Sequence, residues 1–156
     1  MIALYFVLMS LRLAPVTTDA AMIARMELGQ AVEDEGATPY EARWLAAVAY
    51  RESTYKLDAV GDHGSSFCAY QLHLPGGAKT GEGKTGEDLR KDARACTRQA
   101  LKWLRWSLNA CKSLPEAERI AGYARGRCES TTGQRLSRDR WAQAQKAKLP
   151  GTAFAR

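Results

Sequence analysis

Apolar and polar positions follow a helical period over most of this chain, and one central stretch breaks the rhythm. Ala21, Ile23, Met26, Leu28 and Val32 predict a helix over 17–32. The next helix has a clear start. Thr38 suits an N-cap, Pro39 the first turn, and Glu41 completes a capping box. Trp44, Val48 and Glu52 then follow four apart and share one face. The first two belong in a core, and Glu52 emerges at the end of the stripe. A long amphipathic helix is expected over 88–111, with Ala93, Cys96, Ala100, Leu104, Leu108 and Cys111 inside. Ser113, Pro115 and Glu116 predict the start of a short helix over 114–125, carrying Ile120 and Ala124 on one face and ended by Gly126. Ser137 is expected to cap a last helix around Trp141 that stops before Pro150.

The break falls at 56–74, where Gly61, Gly64, Ser65 and Ser66 precede an aromatic-rich run. That composition predicts a hairpin or small irregular sheet. Residues 75–86 hold five glycines and read as a mobile surface loop. The expected class is α+β, mostly α. The amino terminus is apolar from Ile2 to Met9, but its first cation, Arg12, follows the apolar run, the reverse of a secretory signal. The run also falls well short of the roughly 20 apolar residues of a membrane span, so no stable span is expected. Residues 1–16 are therefore read as an apolar segment for packing or docking, or a weak signal-like one, and 17–156 as one domain. If the cysteines are oxidised, such a chain reaches its compartment by lysis or as part of a particle.

The formal charge of +6 suggests an anionic partner: nucleic acid, an anionic lipid surface or an acidic wall polymer. Yet 17 acidic residues are dispersed among 23 basic ones with no dense basic block, so a solvated surface accounts for the charge equally well. Nucleic-acid binding would rest on charge alone, and no nucleic-acid partner is expected. The four cysteines, Cys68, Cys96, Cys111 and Cys128, favour two disulfides and an oxidising compartment. No CxxC spacing is present and the two histidines lie elsewhere, which argues against a metal. Cys96 and Cys111 on one helix would stand about 22 Å apart and could not bond. Cys68–Cys96 with Cys111–Cys128, or Cys96–Cys128 with Cys68–Cys111, both remain open, and the first is preferred.

Glu52 is the candidate for chemistry. A carboxyl set against an apolar helix face can keep its proton near neutral pH, as cleavage of a glycosidic bond requires. Glu52-Ser53 ends a helix, and Gly61-Asp62-His63-Gly64-Ser65-Ser66-Phe67-Cys68-Ala69-Tyr70-Gln71 begins nine residues later. Ala121-Gly122-Tyr123-Ala124-Arg125-Gly126 and Ser137-Arg138-Asp139-Arg140-Trp141 come further on. Together these resemble the soluble lytic transglycosylase and goose-type lysozyme group, in its phage and prophage form, over roughly two-thirds of the chain. In that group a helix-ending Glu-Ser precedes a hairpin closed by Gly-x-x-Gln, and a later helix carries Tyr-Asn-x-Gly. Cys68 departs from the first of these glycines, which suggests a disulfide pinning the hairpin. Ala124 replaces the usual Asn, which removes one expected substrate contact.

The resemblance implies a lysozyme-like fold with a glycan cleft. It also implies cleavage of the β-1,4 bond between N-acetylmuramic acid and N-acetylglucosamine, without metal or cofactor. Glu52 would be the general acid and then the base. Ser53, Ser66 and Gln71 would bind substrate, and Tyr123 would orient Glu52 by a hydrogen bond. Asp62 is a candidate second carboxylate, although turn chemistry explains it without catalysis. His63 and His73 are read as loop histidines. The implied partners are peptidoglycan strands and other virion or tail proteins, and the implied place is the periplasm, the cell wall or a virion. A hydrolytic lysozyme and a non-catalytic glycan-binding module are the alternatives.

Overall fold

The computed structural model describes residues 1–149. The helices are α1 (Ile2–Leu13), α2 (Asp19–Asp34), α3 (Pro39–Ser53), α4 (Gly86–Lys91), α5 (Ala93–Ala110), α6 (Ala121–Arg125) and α7 (Thr131–Ala147). Between α3 and α4 lie three two-residue strands, β1 (Val60–Gly61), β2 (Ser66–Phe67) and β3 (Leu72–His73). They form an antiparallel sheet in chain order, with Gly61 opposite Ser66 and Ser66 opposite His73. The class is α+β and mostly α, as the periodicity predicts. Residues 150–156, the end of the expected 17–156 domain, lie outside the described residues.

The centre of the fold is α3. Its capping box forms as expected: Thr38 Oγ1 accepts from the Glu41 amide, and Glu41 accepts from the Thr38 amide at 2.7 Å. From Trp44 to Val48 and Ala49 every side chain is fully buried, because helices α1, α5 and α7 all pack around α3. Glu41 also pairs with Arg105 of α5 at 2.7 Å, fixing one end of α3 to that helix. Residues 1–16 hold both buried and exposed apolar side chains, with Leu4 and Leu8 at the surface. Phe6 and Met9 of α1 are fully buried, and Arg25 of α2 donates to the Ser10 and Ala14 carbonyls, closing the end of α1.

Four helix expectations need correction. The helix expected over 17–32 starts later, behind the N-cap Thr18, and its buried face is Arg25, Leu28, Ala31 and Val32. Ile23 and Met26, counted on that face, are exposed. The helix expected over 88–111 is two helices. Asp92 leaves the helical region (φ −135°, ψ 95°) and its carboxylate accepts from the Ala95 amide, so one residue both ends α4 and caps α5. The segment 114–125 holds a short 3-10 turn, Glu116–Glu118, before the five-residue α6. Gly126 closes α6 at φ 72°, as expected. Ser137 is no cap: Ser130 caps α7, and Ser137 lies buried inside that helix. Its hydroxyl donates to the Ala117 carbonyl and accepts from the Ile120 amide. A serine that satisfies a neighbouring loop in this way looks, in sequence, like a cap.

All four cysteines are bonded, Cys68 to Cys96 and Cys111 to Cys128, the preferred pairing. The first ties the hairpin to α5, and the second ties the end of α5 to the segment after α6.

Candidate functional site

A cleft of about 1200 Å³ opens where the end of α3, the sheet, α5, α6 and the first half of α7 converge. Glu52, Asp62, Ser66, Gln71 and Tyr123 all line it. Five side chains picked from distant motifs therefore share one cavity. Ser53 does not line it. Its Oγ donates to the Ala69 carbonyl at 2.8 Å and ties the hairpin to α3.

Glu52 sits in the last turn of α3, behind Trp44 and Val48 on the same stripe. Its surroundings differ from the wholly apolar face expected. Arg140 of α7 donates from Nη2 to Glu52 Oε1 and from Nη1 to its own helix at the Leu136 carbonyl. The Arg140 side chain is 8% exposed and that of Glu52 23%. One residue back on each helix, Arg51 pairs with Asp139 at 2.6 Å. Two adjacent ion pairs of opposite sense thus join the end of α3 to the middle of α7 at the cleft. Among the described residues, Glu52 Oε2 has no hydrogen-bond partner.

Tyr123 also differs from expectation. Its hydroxyl donates to the Tyr70 carbonyl at 3.3 Å and not to Glu52. Burial, then the nearby Glu52 and Tyr70, push the Tyr123 phenol well above its usual range, so it stays protonated. Its ring meets that of Trp103 edge-on at 6.4 Å.

The hairpin side of the cleft is held in an unusual backbone. Asp62, His63, Cys68 and Gln71 all have φ between 48° and 60°, and Thr54 and Tyr55 just before them are also left-handed. No other described non-glycine residue has positive φ. Such conformations persist only where surrounding structure enforces them, and they gather at functional sites. The enforcing contacts are visible. Asp62 Oδ2 accepts from the buried Ser66 hydroxyl at 2.6 Å, and that hydroxyl lies 3.3 Å from His73 Nδ1. Gln71 Nε2 donates to the Cys68 carbonyl at 3.1 Å. Gln71 Oε1 occupies the space where Gly61 lacks a side chain, so a residue larger than glycine at 61 would collide with it. Asp62 and Gln71 therefore stand in the cleft on short, hydrogen-bonded supports. His73 joins the lining, and His63 does not.

Arg51, Lys102, Trp103 and Trp106 also line the cleft without having been singled out in the sequence, and Arg125, Asp139 and Arg140 line it having been noted only as members of their motifs. For Arg140 a signal exists: it falls four residues before Ala144 and seven before Ala147, on the buried face of α7. A cation on a buried helix face needs a carboxylate partner, and Glu52 is the one it meets. Among the described residues, no group of three or more His, Cys, Asp or Glu side chains is arranged to hold a metal ion, and no helix is long and apolar enough to cross a membrane.

No family model, curated protein or solved structure matches this chain.

Proposed function

We propose that this chain cleaves peptidoglycan, acting on the β-1,4 bond between N-acetylmuramic acid and N-acetylglucosamine as a lytic transglycosylase of lysozyme-like fold. The observation that supports this most is the gathering of Glu52, Gln71, Asp62, Ser66 and Tyr123 around one open cleft. A glycan strand needs a long open groove with a carboxyl beside the bond to be broken.

In this reading Glu52 protonates the leaving oxygen through Oε2 and then accepts a proton in the second step. A carboxyl cannot hold a proton and a full ion pair with Arg140 together. The acid step therefore requires a bound strand to loosen the Arg140 contact, and because an ion pair lowers the basicity of a carboxylate, the contact stays loosened while Glu52 acts as the base in the second step. Gln71 holds a substrate hydroxyl or N-acetyl group. Tyr123, bonded to the Tyr70 carbonyl, shapes the floor and acts on Glu52 through space only. In the transglycosylase outcome the muramyl 6-hydroxyl is the nucleophile and leaves a 1,6-anhydro end. A hydrolytic outcome is the second reading, favoured by one observation: Ser66 holds the Asp62 carboxylate in the same cleft, where it could activate water.

Two disulfides suit an oxidising compartment, so we place the activity at the periplasm or cell wall, delivered by phage-type lysis or from a virion. The test is clearing of purified cell walls. Wild type should clear them, and Glu52→Gln should bind without clearing. Equal clearing by both would overturn the assignment of Glu52.

A further inference from the structure

Trp106 is the one exposed aromatic among the large apolar side chains left at the surface of the described residues, at 49% exposure. It is not a stray surface residue. It lines the cleft, and its ring edge packs where Gly122 of α6 has no side chain, so that a Cβ at Gly122 would come within 2.8 Å of the ring. A glycine that lets the edge of an indole seat against a short helix, with the residue still half exposed, builds a platform. The flat apolar face of an indole matches the apolar face of a pyranose ring.

The cations around it divide into two kinds. Arg51 and Arg140 also line the cleft, but both are held by carboxylates, Asp139 and Glu52. Lys102 lies one helical turn before Trp106 on α5, and Arg125 lies in the last turn of α6. Both are exposed, line the same cleft, and have neither an ion pair nor a side-chain hydrogen bond among the described residues. An aromatic platform beside two uncommitted cations fits a sugar ring that carries a carboxylate.

We infer that Trp106, Lys102 and Arg125 form a subsite for a hexosamine bearing a carboxylate, so that the chain distinguishes muramyl glycans from neutral glycans of the same backbone. The inference rests on the muramidase reading for the identity of the sugar. The carboxylate can come from the stem peptide or from the lactyl group once the peptide is removed, and the two are separable by experiment.

Binding is measured with the Glu52→Gln/Arg140→Gln chain, its disulfides intact, so that cleavage cannot confuse the result and no freed Arg140 adds a third cation to the cleft. Three ligands are compared: soluble peptide-bearing glycan strands, the same strands stripped by an amidase, and a neutral N-acetylglucosamine hexamer. The parent chain should bind at least one muramyl ligand more tightly than the hexamer, with a preference that shrinks in high salt. Preference for the intact strand alone assigns the stem carboxylates, and an equal preference for stripped strands assigns the lactyl group. Trp106→Ala should weaken all three ligands about tenfold, and Trp106→Phe should restore part of that. Lys102→Gln with Arg125→Gln should abolish the preference and leave hexamer binding unchanged. Unchanged binding by Trp106→Ala, or a preference that survives the double substitution, overturns the inference. If wild type fails to cleave walls while this binding pattern holds, the catalytic reading fails and the subsite stands.

Discussion

Removing the Cys68–Cys96 bond should cost this protein much of its stability, and the amount follows from the structure. The bond spans 28 residues of sequence. Closing a loop of that length in the unfolded chain removes entropy worth about 3.6 kcal/mol at 25 °C in the chain-entropy description. Both cysteines are buried, so replacing each by alanine keeps the site apolar. Cys68, however, sits at φ 60°, a conformation that costs a residue with a Cβ roughly 1–2 kcal/mol. Cys68→Gly/Cys96→Ala should therefore be more stable than Cys68→Ala/Cys96→Ala by about 1 kcal/mol, offset partly by the greater freedom of an unfolded glycine. Urea unfolding, followed by far-ultraviolet circular dichroism with the second disulfide intact, measures both effects. With a slope of about 2 kcal/mol per molar urea, the double alanine variant should lose roughly 1.8 M in its midpoint. A loss below about 0.5 M would refute the view that this bond constrains the chain, and a glycine variant no more stable than the alanine one would refute the strain at Cys68.

Three further outcomes are expected. Arg140→Ala, which strips the buried end of the α3–α7 pair, should destabilise by about 2–3 kcal/mol in thermal or urea unfolding, and Glu52→Gln/Arg140→Gln should cost less than the sum of its parts. Glu35 is bonded by Arg98 and then Arg94, which hold its carboxyl down at about 2 against an ordinary 4.5. Because the folded value is depressed, this contribution is full above about 4.5 and fades as pH falls toward 2, so wild type should lose Tm across that window and Glu35→Gln should lose less. Asp62→Asn should leave wall cleavage and its anhydro ends intact if the sugar hydroxyl is the nucleophile; loss of cleavage by at least tenfold would favour water activated by Asp62.

Local periodicity made the core of the site legible. Trp44, Val48 and Glu52 are four apart, and the capping residues Thr38 and Glu41 start the helix that carries them, so the position of Glu52 could be read from the fifteen consecutive residues 38–52. The Cys68–Cys96 and Cys111–Cys128 bonds were legible to the extent that a helix forbade the third arrangement. What stayed hidden depends on contacts between distant residues. Arg140 meets Glu52 across 88 positions, and no local pattern names that partner. No local pattern sets Trp103 and Trp106 apart on their helix, and only the packing of α6 through Gly122 shows Trp106 standing in the cleft. The break at Asp92 and the buried Ser137 misled for one reason: a short polar side chain can satisfy a backbone group inside a helix, at its end or across to a loop, and the sequence alone does not say which.

The activity proposed for the cleft depends on Glu52 performing glycosidic cleavage in peptidoglycan. The most direct measurement is mass spectrometry of muropeptides released from purified cell walls by wild type and by Glu52→Gln. Wild type should give 1,6-anhydromuramyl ends and the variant none. No released fragments from folded wild type, or the same fragments from both proteins, would contradict that role for Glu52.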